Sequence, residues 1–527
     1  MFKVKHLEKM VTKGEISRRE FIARMSALGL AAVISPAILA NTAYAANPKK
    51  GGVLRIACTG GSTTDSLDPG TLTSQYNQFL NFQMRNCLVE IDHKSNAIPE
   101  LAESWEPSPD AARWTFKLRK GVEFHNGKTF DAQDVVYTMN HHRGEKSKSG
   151  AKGLLEPVKE IKADGKDTIV FTLKGGNADF PYILADYHLT IFQAGTKGPE
   201  FEKGIGTGGY LLKSWEPGVR AHTVRNPNYW KQGRAHFDEV QTLSIVDTNA
   251  RTNALKTGQI DVMDRPDLKT VKLFKRLKNI QIISKTSGSH STVPMRFNTK
   301  PYDNNDVRLG LKYALDREEQ VKKVLKGYGS VGNDHPIAPN IKYHADKLPQ
   351  RTFDPDKAKY HMKKAGMLGH TFKLHASEGG FAGAVDSALL YQHSAEKAGI
   401  KIQVVKEPSD GYWNNVWMKK SWCMSYWSAR PTADLMFTSA YTGSWNETYW
   451  KNDRFSKLLI GARAELDEKK RSDMYYEIQK IVRDEGATVV PMFSDIVIAA
   501  NKKLGYKDFG AGLDLDDARG HERWWYN

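Results

Sequence analysis

The stretch Ser17-Arg18-Arg19-Glu20-Phe21-Ile22, followed by an uncharged run from Met25 to about Ala40, constrains this chain more than any other. Paired arginines ahead of a mildly apolar run, with Ala43-Tyr44-Ala45 at the A-x-A positions of a signal-peptidase site, form the signature of a twin-arginine export leader. That route carries proteins already folded. The expected address is the periplasm, with cleavage after Ala45. A membrane anchor is the competing reading, but the run falls short of the ~20 residues of a comfortable span and is rich in Ala and Gly. Residues 1–45 are therefore set apart from the fold.

Roughly 480 residues remain, more than one core usually holds, so two or three lobes are expected. Hydrophobic content of 40% and charged content of 26% are ordinary for a globular protein. No second long apolar run occurs, so the mature chain is not expected to cross a membrane. The chain carries +17; the leader holds seven basic and three acidic residues, leaving about +13. Such a charge could suit an anionic partner. The lysines are spread out, however, and no nucleic-acid motif accompanies them, so a solvated basic surface and no nucleic-acid partner are expected. Cys58, Cys87 and Cys423 allow at most one disulfide. Cys58 sits in an apolar run and Cys423 beside Trp422, so buried free thiols are expected. There is no C-x-x-C, and no metal or cofactor is expected.

Gly52 to Ala57 reads as a first strand running into a loop, Thr59-Gly60-Gly61-Ser62, able to bring backbone close to a ligand. Trp114 to Leu118 and Thr168 to Leu173 read as strands, and Asp131 opens a capped helix. Beyond residue 300, helices are expected over Val307 to Leu325 and Asp356 to Ala365, with strands at Thr371 to His375 and Ile400 to Val405. This mixture fits α/β lobes.

Two patterns mislead. Gly204-Ile205-Gly206-Thr207-Gly208-Gly209 matches G-x-G-x-x-G, but Tyr210 onward reads as strand, where a dinucleotide fold needs a helix. Asn126-Gly127-Lys128-Thr129 resembles the end of a phosphate loop, with Gly121 one residue out of register. His141-His142 reads as a surface pair, since neighbours on a helix do not share a face. No G-x-S-x-G or H-E-x-x-H occurs.

Leu101-Ala102-Glu103-Ser104-Trp105-Glu106-Pro107, followed by Trp114 through Gly127, closely resembles the signature region of family 5 extracellular solute-binding proteins. Asn226-Pro227-Asn228-Tyr229-Trp230, Ala314-Leu315-Asp316-Arg317 and Asp354-Pro355-Asp356-Lys357-Ala358 continue the match in the family's order. The resemblance covers about residues 50 to 527. It implies an α/β periplasmic-binding-protein type II-like bilobal clamp with an extra inserted lobe, three lobes in all. Lobe I would hold residues 46–88, 206–292 and 494–527, lobe II 89–205, and lobe III 293–493. It further implies a monomeric receptor, not an enzyme. Such a receptor closes on a small-molecule or peptide ligand by hinge bending and docks on the permease subunits of an inner-membrane ABC importer. The expected solute is a short peptide or similar amino-acid-derived molecule. A nickel or other metal chelate and an oligosaccharide are the alternatives, with a Tat-exported hydrolase more remote.

Candidate ligand residues follow from that resemblance. Trp427-Ser428-Ala429-Arg430 aligns with the turn where peptide-binding relatives carry an aspartate for the peptide's amino terminus; this chain has Arg430. An arginine there would repel an ammonium and could hold a carboxylate or phosphate by a bidentate pair, unless it pairs internally, with Asp434 the nearest choice. Where dipeptide-binding relatives carry an arginine for the ligand carboxylate, Gly383 to Ser387 has none and offers Asp386, which would face a cationic group. Trp413 lies in the aromatic-dense stretch from Tyr412 to Trp450, suited to burying a ligand. Gly60, Gly61 and Ser62 are expected to make backbone contacts.

Overall fold

The computed structural model describes residues 48–408, 412–442 and 445–527; the leader, with Arg18, Arg19 and the site after Ala45, lies outside the described residues. No described helix is long and apolar enough to cross a membrane.

The first strand, Val53–Cys58, alternates its burial and sits inside the largest sheet. That sheet runs in the order Ser425–Trp427, Ile280–Pro294, Met492–Asn501, Val262–Asp264, Val53–Cys58, Glu239–Ser244, Arg220–Arg225, Tyr210–Glu216. Val53–Cys58 pairs in parallel with both Glu239–Ser244 and Val262–Asp264, and the remaining neighbours are antiparallel. Tyr210–Glu216 is the strand expected after the glycine-rich decoy, so that stretch opens no nucleotide-binding helix.

Residues 88–191 build their own core around Trp114, Phe116, Phe171 and Phe180, against a four-stranded antiparallel sheet of Ala102–Pro107, Arg113–Leu118, Thr168–Leu173 and Val158–Ala163. The helix Ala132–His141 covers it, opened by a capping box in which Asp131 and Asp134 satisfy each other's backbone N–H groups. A third core, around Trp422, Tyr391 and Phe372, lies beneath the parallel pair Thr371–Ala376 and Lys401–Lys406. Two long strands, Ile280–Pro294 and Met492–Asn501, link these regions. They pair with each other, with Val262–Asp264 towards one end and with Ser425–Trp427 and Gly329–Val331 towards the other. Their mutual register shifts between Thr286 and His290.

Two expectations need correction. Val307 to Leu325 is two helices, Asn305–Tyr313 and Arg317–Lys323, because Asp316 takes an extended conformation and caps the second through the N–H of Glu319. His141-His142 is not a surface pair. His142 is fully buried against Ser149 Oγ at 2.7 Å, burial pushing its pKa down to about 3, and His141 Nε2 lies 2.8 Å from Asp68. All three cysteines are buried and free.

Candidate functional site

The carboxyl ends of the three parallel strands open on one side, where α/β sheets commonly hold ligands. After Cys58 comes the glycine loop, after Ser244 the turn at Ile245, and after Asp264 the side chain of Arg265. Asp264 ties two of these ends together, accepting from Thr59 N at 2.9 Å and Thr59 Oγ1 at 2.6 Å. Burial and the neighbouring Asp514 raise its pKa to about 6.

Gly60 and Gly61 have φ of +86° and +100°, where a side chain is strained. A Cβ on Gly60 would stand 2.6 Å from Ser74 Cβ, and one on Gly61 would stand 2.5 Å from Ser244 Oγ. Packing alone thus accounts for both glycines. Ser62 is exposed and ties the loop to itself, its N–H donating to Asp65 at 2.8 Å.

Ser425–Trp427 lies at the edge of the same sheet, paired with His290–Thr292 of the long strand. Alternation sends Trp427 inward, 5% exposed, and leaves Tyr426 exposed. Trp413 is also exposed and packs edge-on against Tyr426, Trp417 and Tyr412, each at 5.7 Å between centroids. Arg430 lies over the Trp427 ring at 5.9 Å and donates only to nearby carbonyls, Ser428 O at 3.3 Å and Ala429 O at 3.1 Å. No carboxylate among the described residues lies within ion-pair distance of it. Asp434 is taken by Arg463, at 3.0 and 3.1 Å from its two oxygens, so the internal pair considered for Arg430 does not form. Burial holds the Arg430 pKa below its usual value, opposed by Asp186, Tyr187 and Tyr426. Asp186 and Tyr187 come from the 88–191 region, so Arg430 has electrostatic neighbours there.

Glu447 is the residue that sequence reasoning missed. It is buried with no cationic partner among the described residues and accepts from Trp417 Nε1 at 2.6 Å, Thr292 Oγ1 at 2.8 Å and Trp427 Nε1 at 3.0 Å. Burial raises its pKa while these donors lower it. One carboxyl thus fixes two indoles at once. A lone acid in a run of aromatics was the available signal.

The structure puts Arg430 over the Trp427 ring and connects Trp413 to that pair through Tyr426, Trp417 and Glu447. Asp386 is exposed on the first turn of the helix Ala384–Glu396, which packs on Thr371–Ala376, Lys401–Lys406 and Arg317–Lys323. No contact among the described residues joins it to Arg430.

The profile of a family described as bacterial extracellular solute-binding proteins, family 5 Middle, matches residues 96–449. The oligopeptide-binding protein AppA of Bacillus subtilis is 27% identical over 474 residues, covering 83% of this chain and 85% of that protein. The dipeptide-binding protein of Escherichia coli K12 is 26% identical over 472 residues, covering 82% and 86%. Among solved structures, the periplasmic binding protein DppA of Helicobacter pylori, in complex with the peptide STSA, superposes with a TM-score of 0.73 at 25% identity, covering 91% of this chain and 98% of that one.

Proposed function

The chain belongs to the bacterial extracellular solute-binding proteins of family 5, binding components of ABC importers and not enzymes, and on that premise we propose that it captures a short peptide or similar amino-acid-derived solute bearing an anionic group. Leader export by the Tat route, cleavage after Ala45 and action as a monomer belong to the same reading. The 46–88, 206–292 and 494–527 segments act as one lobe, 89–205 as the inserted lobe and 293–493 as the far lobe, and the solute favours closure through contacts it makes only in the closed state. Gly60, Gly61 and Ser62 offer backbone from one side, while Trp413 and Trp427 supply apolar faces from the other.

The observation that carries the reading is Arg430. A guanidinium drawn out of water against an indole face, with no carboxylate to neutralise it, is poised for an anion from solution. Native mass spectrometry of the mature protein purified from its source should show a bound small molecule carrying a carboxylate or phosphate. Arg430→Ala should weaken its binding tenfold or more, since a charge-assisted hydrogen bond contributes about 1.5–3 kcal/mol. Unchanged calorimetric affinity in that variant would end the reading of Arg430 as the anion's host.

A further inference from the structure

A buried acid with no cation beside it must be held by something else. Glu447 is 4% exposed, and no Lys, Arg or His among the described residues lies within ion-pair distance of it. Burying a lone carboxylate is costly unless its oxygens are filled by donors. Here both are. Oε2 accepts from Trp417 Nε1 at 2.6 Å, and Oε1 accepts from Trp427 Nε1 at 3.0 Å and Thr292 Oγ1 at 2.8 Å. An indole N–H can only donate, so two obligate donors meet two different oxygens. A carboxylate offers an acceptor at both positions. A glutamine would turn its NH2 toward one indole and leave that N–H facing another donor.

The Trp427 ring is a junction. Its N–H edge is bonded to Glu447, and its face carries the Arg430 guanidinium at 5.9 Å from the centroid. Its backbone is fixed by pairing with His290, and the turn that follows is tied where Ala429 N–H donates to Ser289 Oγ at 3.2 Å. Arg430 spends one terminal nitrogen on the carbonyls of Ser428 and Ala429. Among the described residues, Trp427 is the one side chain on which the guanidinium is stacked or to which it is bonded.

A hydrogen bond to a carboxylate polarises the indole, and linked polar contacts strengthen one another where the dielectric is low. The ring face becomes more negative, and its hold on a cation tightens. Glu447 thus acts on Arg430 through the ring, without an ion pair. A direct carboxylate partner would fill the guanidinium's hydrogen-bonding edge; a charge relayed through the indole leaves that edge open to an anion.

We propose, resting on the reading of Arg430 as the anion's host, that Glu447 is a positioning residue for that site. Through the Trp427 N–H it holds the guanidinium on the indole face, without itself touching the solute.

The test is a double-mutant cycle on the mature protein, read by calorimetry with the dipeptide Ala-Glu, which carries the anionic group that reading requires. Glu447→Gln should weaken binding about fivefold on its own, and less than about twofold in the Arg430→Ala background, where the route through the guanidinium is gone. Glu447→Asp keeps the charge and should recover part of the loss. Trp427→Phe keeps a ring beneath Arg430 and removes the N–H link. It should show the same dependence on Arg430, and it decides the question if Glu447→Gln does not fold. Unchanged affinity in Glu447→Gln and Trp427→Phe, or equal losses with and without Arg430, overturns the proposal and leaves Arg430 as the anion's host. Unchanged affinity in Arg430→Ala overturns that reading and the proposal with it, as does absence of Ala-Glu binding to the unaltered protein.

Discussion

Two of the joints between the 88–191 region and the rest of the molecule are built on different principles. On one side Lys231 Nζ lies 2.6, 2.7 and 3.2 Å from Glu90, Glu100 and Glu522. Arg519 forks onto both oxygens of Glu100 at 2.7 and 2.9 Å, and Arg523 joins Glu90 at 2.8 Å to Asp516 at 2.7 Å. All of these side chains are at least nine-tenths buried. On the other side one buried pair, Asp179 with Arg471 at 2.9 Å, and one backbone bond, Ala178 N to Arg463 O at 2.7 Å, reach the helices Asp453–Ala464 and Glu468–Glu485. The first joint is a saturated network that cannot part without stranding several charges. The second can release as a unit into water, both partners solvated together. The joint with little to strand is the one expected to open.

Breaking the first joint should produce the largest effect. Arg519→Met leaves Glu100 without its fork, with Lys231 as its remaining cationic partner among the described residues. Removing one partner from a buried network costs about 3–5 kcal/mol, to be read as a drop in the urea midpoint at constant m. The joint also has a pH signature. Burial alone would raise the pKa of Glu522, yet Lys231 and Arg519 help bring it to about 2. Its contribution is therefore complete above the ordinary value of 4.5 and is lost as pH falls through about 2.

Little of this network was legible in the sequence, and the reason is distance along the chain. Glu100 and Arg519 are 419 residues apart, and Glu90 and Arg523 are 433 apart. No local pattern announces such pairs. Strands at Val53–Cys58 and Arg113–Leu118, and the box of Asp131 with Asp134, were legible because alternation and capping act within one element. Asp316 shows the limit of that reading. An apolar period runs through it, but its side chain caps a new helix and so divides the old one. Arg430 stood out only against a family motif.

The second joint calls for a milder cut. Asp179→Asn leaves Arg471 buried without its carboxylate, but only while the lobes are together, because opening returns the guanidinium to water. The penalty therefore falls on closure rather than on folding. Solute affinity should drop about tenfold, equivalent to ~1.4 kcal/mol, and the scattering radius of the solute-loaded protein should shift toward that of the unloaded one. An unfolding midpoint lowered as far as in Arg519→Met, with affinity unchanged, would make Asp179 part of the core and erase the contrast between the joints.

The smallest expected effect tests whether the two joints answer pH in opposite directions. Asp434, beside the second joint, is raised to about 6 by burial, with Arg463 pulling it down and Asp179 pushing it up. A raised carboxyl binds its proton more tightly folded than unfolded. Its contribution is complete below the ordinary value of 3.8 and is lost as pH rises through about 6, the reverse of Glu522. Asp434→Asn keeps an oxygen for Arg463 and removes the titration. Between pH 4 and 6 the variant should lose the part of the stability decline that Asp434 supplies, while the loss toward pH 2 that Glu522 governs stays in place. A slope identical to wild type in that upper window would mean that Asp434 is as fully compensated as the glutamates of the first joint, and that the two joints differ in size rather than in kind.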